Sequence, residues 1–489
     1  MSIAQTIRAQ LRGDPAERMI RFEGVWYDRA WMNAAIGALE AALGQAGVAP
    51  ASPIGLVPLS RPEFAAAMVG LFAHERTVVM LYAYQSPEAL AHRVRALRLP
   101  AVVAPARHWT EPLIAAARET GAAAIALSLA PPGVRMLLPH NEQPGIGQRE
   151  APAEPGIDLL TSGTTGAPKH FFISYARLQR RGVVATTSTA QSQAPALSFF
   201  PLGNIAGIYW ILPTIARGQA IVMLEKFNVA DWVGYVREYR PRDMGLPTAA
   251  FRMILDAGID PADLASLRSL ATGASTLDPA LRREFEARYS IPITQSYGAT
   301  EFGGVITLLT LADREKLGEA KADSVGRPLP GVQIRTTDPE TGAACAPGEE
   351  GRLEAIVPAM GDDWIATTDL AMLDADGFLW HRGRLDGAIM RGGFKILPEQ
   401  ITQIMLEHPS VAAAVVVGIA DARLGQVPGA LLQLRDGAAA PTQADLQAHL
   451  RRQLPAIAVP ERFRIVPALP RTPSLKIDLT QSRHILESI

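Results

Sequence analysis

The chain has 489 residues, of which 48% are hydrophobic and 19% charged, which is ample for folded cores and far from a disordered composition. At roughly 150 residues per domain, two or three folding units are expected, so a multi-part enzyme is favoured over a small binding module. Lys+Arg at 47 against Asp+Glu at 48 leaves a net charge of −1, which gives no global pull towards nucleic acid or an anionic membrane. The single cysteine, Cys345, excludes an intramolecular disulfide and a paired-cysteine zinc site, and its Thr-Gly-Ala-Ala-Cys-Ala-Pro setting reads as loop. A reducing, cytoplasmic location is expected, because the N-terminus also lacks the apolar core of a signal peptide.

From about 30 to 300 the pattern alternates. Helix-like stretches at Ala30–Gln45, Pro62–Ala73, Glu88–Leu97 and Thr110–Thr120 separate short apolar runs. The runs are Thr77–Leu81, Ala101–Ala104, Ala122–Ala126, Asp158–Thr161, Ala220–Leu224, Leu267–Thr272 and Ile293–Ser296. This is the signature of βαβ units with mostly parallel sheets, whose ligands bind beyond the strand C-ends. Leu197–Ala216 is long enough to span a membrane, but Pro201, Gly203, Asn204, Gly207 and Pro213 interrupt it. It reads instead as a buried strand, a turn and a core helix. From about 325 to 383 shorter alternating pieces suggest a small β subdomain. Beyond Gly383-Arg384-Leu385-Asp386-Gly387 a compact pattern follows: helix Glu399–Glu407, strands Val411–Gly418 and Gly429–Leu434, helix Gln443–Arg452, strand Phe463–Val466. The fold class expected is α/β: a large N-terminal domain (1–383) of two βαβ-type subdomains plus a small β subdomain, a hinge (384–387), and a small mobile α+β C-terminal domain (388–489).

The strongest chemical signal is Leu159-Leu160-Thr161-Ser162-Gly163-Thr164-Thr165-Gly166-Ala167-Pro168-Lys169. An apolar run ends in hydroxyls, glycines and one lysine. Glycines let the backbone turn and aim N–H groups at an anion; hydroxyls and an ammonium add donors and charge. The alternative is a flexible surface loop. Pro168 before Lys169 and His170 after it exclude a Walker A loop. Lysine is scarce, six residues in all, so the chain uses arginine wherever a generic cation will do. Lys169, Lys395 and Lys476 all fall in the motifs of interest.

This segment resembles the signature loop of the ANL superfamily of adenylate-forming enzymes, of the acyl-CoA synthetase type. The resemblance continues in order through Thr272-Gly273-Ala274-Ser275, Gln295-Ser296-Tyr297-Gly298-Ala299-Thr300-Glu301, Thr367-Thr368-Asp369, Gly383-Arg384-Leu385-Asp386 and Pro470-Arg471-Thr472-Pro473-Ser474-Leu475-Lys476-Ile477-Asp478. It implies the ANL fold, with ATP, Mg²⁺ and CoA as the small molecules used alongside a carboxylic acid, and neither nucleic acid nor a membrane span. A homodimer is left open. By resemblance, Thr161, Ser162, Gly163, Thr164, Thr165, Gly166 and Lys169 hold phosphates. Gly273, Ala274, Ser275, Tyr297 and Gly298 bound the adenine. Asp369 and Arg384 take the ribose, Glu301 beside Thr300 holds the metal, and Lys476 is the mobile catalytic cation. Asp386 is the hinge, and Gly392-Gly393-Phe394-Lys395 is the CoA side.

The physics agrees with that assignment. Joining a carboxylate to a phosphate requires positive charge and positioning. Leu475 stands where the family has glycine, Thr368 where glycine often precedes the ribose aspartate, and Met390 where a lysine is common. Gly203 and Asn204 replace the aromatic and histidine that border the acyl pocket. The remaining pocket candidates, Thr248, Thr272 and Gly303 with their neighbours, are small and without a buried charge. An apolar monocarboxylic acid, aromatic or fatty, is the expected substrate of an AMP-forming acid–CoA ligase. The other readings are an enzyme loading a carrier protein in trans, and a non-catalytic nucleotide- or acyl-binding homologue.

Overall fold

The computed structural model describes residues 2–130, 133–141, 148–161, 169–180, 194–273, 275–385, 387–391, 394–421, 424–472 and 475–488. A seven-stranded sheet forms the first layer, in the order Val134–Leu138, Ala123–Leu127, Ala101–Pro105, Ile54–Leu56, Val78–Met80, Gly156–Thr161 and Lys169–Ser174. Its five central strands are parallel and its two edge strands antiparallel. Buried on both faces, strands such as Ala101–Pro105 are apolar throughout, which is why they read as unbroken runs. Helices Arg29–Gln45, Pro62–Ala73, Pro87–Leu97 and Glu111–Thr120 lie where the periodicity puts them. Asp28 and Ser86 cap two of them, accepting the Trp31 amide at 2.8 Å and the Ala89 amide at 3.2 Å.

A second sheet orders Ala196–Ser198, Ile221–Met223, Arg18–Phe22 and Val25–Asp28. Its N-terminal hairpin was not expected from the sequence. A third orders Asp243–Gly245, Ser269–Thr272, Ile293–Ala299, Gly304–Leu308 and Arg327–Pro328. Arg327–Pro328 thus completes this sheet rather than opening the β subdomain, because it pairs with Leu308 and Thr307. The β subdomain proper is four antiparallel strands, Gln333–Thr337, Glu350–Ile356, Ile365–Leu373 and Leu379–Arg384. The stretch Leu197–Ala216 forms the end of a strand and the helix Ile205–Ala216. No described helix is long and apolar enough to cross a membrane.

The C-terminal portion has its own sheet: Phe394–Ile396, Ile389–Arg391, Gly425–Leu434 and Val411–Asp421, with Arg462–Ile465 parallel to Gly425–Leu434. Helices Pro398–Leu406 and Gln443–Arg451 close a core of Ile389, Ile401, Met405 and Val416 over it.

One buried cation sets the strand that carries the site. Arg282, fully buried, donates to Asp323 at 2.8 Å, Glu286 at 2.6 Å and Glu319 at 2.6 Å. Glu286 in turn accepts the amide of Ile293, the first residue of Ile293–Ala299, at 2.7 Å. Removing one member of a buried ion network leaves charges uncompensated. Arg282→Met is therefore expected to lower stability by about 3 kcal/mol, as measured by chemical denaturation. An unchanged midpoint would show that the network is ornamental.

Candidate active site

Ile293–Ala299 is parallel to its neighbour in its first half and pairs antiparallel with Gly304–Leu308 in its second. The switch is tight: a Cβ on Gly298 would lie 2.4 Å from the Gly304 carbonyl oxygen, so only glycine lets the strands meet. A single turn, Thr300–Phe302, follows. Phe302 is fully buried and pins it, leaving Glu301 exposed beyond the strand end. Gly303 closes the turn at φ +62°.

Tyr297 points from this strand to the β subdomain, where its hydroxyl donates to Asp369 Oδ2. The other oxygen of Asp369 lies 3.7 Å from His381 Nε2 and 3.7 Å from Arg384 Nη1. Cross-strand register explains the cluster. Arg384 is opposite Asp369, and His381 is opposite Ala371, two residues along and hence on the same face. The His381 ring stacks on Tyr297 with centroids 5.7 Å apart. Arg384 also donates to Thr368 Oγ1 at 2.7 Å, so the threonine that replaces a common glycine orients this guanidinium. Burial by itself pushes Asp369 up, but the His381 and Tyr297 contacts and the Arg384 charge outweigh it and hold the carboxyl below its ordinary value. Tyr297 is pushed far up, first by burial and then by the Asp369 charge, and stays a neutral donor.

The lysine loop closes on the same cleft. Asp478 N–H donates to the Pro470 carbonyl at 2.9 Å, Thr472 N–H to Lys476 O at 2.7 Å and Leu475 N–H to Thr472 O at 2.8 Å. The Arg471 guanidinium holds the Leu475 carbonyl at 2.9 Å. Leu475 sits at φ +62°, a left-handed conformation that costs a residue with a β-carbon about 1 kcal/mol. Its side chain packs on the core that contains Trp232, Phe251 and Phe285, in the large N-terminal portion. Lys476 is exposed, with protein groups nearby that still reduce its hydration. That crowding, and then the charge of Arg384, lower its pKa. Arg471 is lowered by the same crowding. Lys476 makes no ion pair with a described residue. On the far side Tyr82 is pushed up to about 12 by burial, by Tyr84 and by the Asp478 charge, which sets the loop against the segment after Val78–Met80.

On the remaining wall Thr248, Thr272 and Ser275 share hydrogen bonds: Thr248 Oγ1 is 3.2 Å from Thr272 Oγ1, and Ser275 Oγ donates to Thr248 Oγ1 at 2.9 Å. Gly203 faces the Pro58 ring. Asn204 Oδ1 accepts the Gly207 amide at 3.1 Å and so caps helix Ile205–Ala216. The polar atom expected to serve the pocket is thus partly engaged in holding the helix. Tyr209, which the sequence did not single out, donates to the Gly303 carbonyl. A Cβ on Gly304 would come 3.3 Å from its ring.

Tyr297, Asp369 and Arg384 are therefore brought together, with the Arg384 charge felt by Lys476, and Thr300, Glu301, Thr272 and Gly273 stand at or next to strand ends. Thr161 and Lys169 are the last backbone pair of the hairpin Gly156–Thr161 and Lys169–Ser174. Ser162, Gly163, Thr164, Thr165, Gly166, Ala274, Asp386, Gly392 and Gly393 lie outside the described residues. Phe394 and Lys395 are placed on the short strand Phe394–Ile396. Three residues were missed: His381, Tyr209 and Glu399. The carboxyl of Glu399 lies where a Cβ on Gly383, itself at φ +122°, would stand 2.8 Å from Glu399 Cδ, and burial raises its pKa. It fastens helix Pro398–Leu406 over the end of the β subdomain.

The family model described as AMP-binding enzyme matches residues 7–359, and that described as AMP-binding enzyme C-terminal domain matches 400–476. The chain belongs to the AMP-binding enzyme family. A fatty acid–[acyl-carrier-protein] ligase from Streptomyces coeruleorubidus is 30% identical over 67% of this chain and 66% of its own length. A medium/long-chain-fatty-acid–CoA ligase from Mycobacterium tuberculosis is 29% identical over 64% of this chain and 58% of its own length. The match thus spans less than two thirds of these relatives. The solved structure of ATP-bound MatB from Rhodopseudomonas palustris shares the fold end to end, with a TM-score of 0.82, 20% identity, and 100% and 99% of the two chains covered.

Because the folded pKa of Asp369 lies below its unfolded value of about 3.9, its contribution to stability is present above that pH and is lost as pH falls through the folded value. Tyr297→Phe removes one bond to the charged form. It is expected to cost about 1.5 kcal/mol at neutral pH, and the difference from the parent should vanish once Asp369 protonates. Denaturation midpoints compared from pH 7 to below the folded value of Asp369 test this; a difference that stays constant through that value would deny the charged pairing.

Proposed function

We propose that the chain is an ATP-dependent acid–thiol ligase that activates an apolar monocarboxylic acid as acyl-AMP, releases pyrophosphate, and passes the acyl group to CoA. The observation that carries this reading is the cluster of Tyr297, His381 and Arg384 around the Asp369 carboxylate, with Lys476 near enough for the Arg384 charge to lower its pKa.

In the first step a carboxylate oxygen of the acid attacks the α-phosphorus, and the bond to the pyrophosphate oxygen breaks. Both reactants are anionic, so the barrier is repulsion and scattered geometry. Lys476 supplies an ammonium at the meeting point, and Arg384 adds a second positive charge. Asp369 accepts ribose hydroxyls, held in place by Tyr297 and His381. The phosphate loop from Thr161 to Lys169 cradles the departing phosphates. Glu301 suits a magnesium ion: it is exposed beside Thr300, makes no ion pair with a described residue, and no cluster of three metal-ligating side chains occurs among the described residues. A single hard carboxylate with phosphate oxygens is the usual magnesium arrangement. The ion supplies charge neutralisation on the phosphates.

In the second step a thiolate sulfur attacks the acyl carbon, the acyl–phosphate oxygen bond breaks and AMP leaves. We assign the rotation between the steps to Asp386, with residues 1–383 and 388–489 as the moving bodies, and the thiol side to Gly392, Gly393, Phe394 and Lys395. The carrier-protein ligase among the relatives favours one second reading, a carrier protein as acceptor. Consumption of free CoA distinguishes the two.

Pyrophosphate release over a panel of fatty, aryl and amino acids, with and without CoA, tests the reading; release from none of them sinks it. Lys476→Ala is expected to slow adenylation by at least about 100-fold while thioester formation from supplied acyl-AMP survives. Adenylation at the parent rate would remove the role given to Lys476. Tyr209→Ala opens the space over Gly304. It is expected to raise kcat/KM for bulky acids relative to small ones about 10-fold, within the range that pocket contacts command. An unchanged acid profile would place the acid elsewhere.

A further inference from the structure

We infer that Leu475 is a positioning residue: an apolar peg that docks the lysine loop on the large N-terminal portion and holds Lys476 in the adenylating pose before any nucleotide arrives. The inference rests on the role proposed above for Lys476, and goes beyond it.

Three observations carry it. The first is conformational. Leu475 stands at φ +62°, where glycine is at ease and leucine is not. The turn is nevertheless closed by Leu475 N–H on Thr472 O, Thr472 N–H on Lys476 O and Arg471 on Leu475 O. A side chain kept at a strained position must gain something from being there. The second is what it touches. The leucine is half-buried against the core of Trp232, Phe251 and Phe285, which belongs to the portion of the chain opposite the small C-terminal sheet. Glycine could make no such contact.

The third is electrostatic. Lys476 and Arg384 are both cations, and the charge of Arg384 already lowers the lysine pKa. Like charges repel, and although Asp369 offsets part of the Arg384 charge, electrostatics does not draw the lysine inward. Burial of the Leu475 side chain does so, and does not depend on a ligand. The residue thus biases the two-state equilibrium of the small portion towards the docked state. The same bias opposes the second half-reaction, because undocking must return an apolar side chain to water.

The test is Leu475→Gly in the full chain, with Leu475→Met as the conservative variant. Glycine removes the peg and relieves the backbone, while Ile477 keeps its packing on the core of the C-terminal portion. Without ligand, amide hydrogen exchange of residues 470–478 is expected to quicken at least 5-fold in Leu475→Gly and to stay near the parent in Leu475→Met. In single turnover, adenylation is expected to fall at least 5-fold, while thioester formation from supplied acyl-AMP holds or quickens. Unchanged exchange, or an equal loss in both half-reactions, overturns the inference. Quickened exchange in a chain whose parent adenylates no acid upholds the docking and instead removes the proposed activity, so the two failures are distinguishable.

Discussion

Two cations, Lys476 and Arg384, face one cleft without a carboxylate dedicated to the lysine, and the rest of the architecture makes sense around that arrangement. Crowded like charges are unfavourable in the resting molecule and become favourable only when anions enter. Arg384 is stabilised by Asp369 and Thr368, which leaves the lysine as the charge whose state depends on what arrives. Asp369, with a single negative charge, cannot neutralise both, and its other oxygen accepts from Tyr297. The buried aspartate therefore does two jobs at once. It anchors the arginine, and it joins the strand Ile293–Ala299 to the β subdomain.

The chain reaches this arrangement by letting separate sheets end at the same place. The strand ends at Thr161, Thr272 and Ala299 come from two different sheets, as parallel topology places ligand-binding segments beyond the C-termini of strands. The β subdomain then brings Asp369 and Arg384 against the end of strand Ile293–Ala299. The C-terminal portion contributes the Lys476 loop, whose described residues are hydrogen-bonded to one another. In the proposed reaction rigid scaffolds and one cation divide the work: geometry is fixed by sheets, and charge is brought by the loop.

Much of this was legible in the sequence because it depends on local pattern. Doubly buried parallel strands read as unbroken apolar runs, and helices such as Pro62–Ala73 and Pro87–Leu97 announce themselves with proline in the first turn. The hairpin Arg18–Phe22 and Val25–Asp28 was not legible. Its arginines, three residues apart in Arg18-Met19-Ile20-Arg21-Phe22, break the strand alternation, and its parallel partner, Ile221–Met223, lies about two hundred residues away. Motif order brought Tyr297, Asp369, Arg384 and Lys476 forward as candidates, but it could not find the residues that support them. His381 matters only because a register shift beside Leu370 sets it on the same face as Asp369. Glu399 matters because Gly383 leaves room for its carboxyl. Neither carries a local signal.

Leu475 shows where the two kinds of reading meet. In the sequence it is a departure, a bulky residue at a position suited to glycine, and its natural interpretation is lost flexibility. The structure gives the departure a direction. The backbone keeps the left-handed turn that glycine would have taken freely, and the added side chain reaches a core in the other portion of the molecule. Strain and docking are then two sides of one substitution: the turn aims the leucine, and the leucine's burial keeps the turn. A loop whose lysine Arg384 does not attract is held in place by a contact that no ligand has to supply.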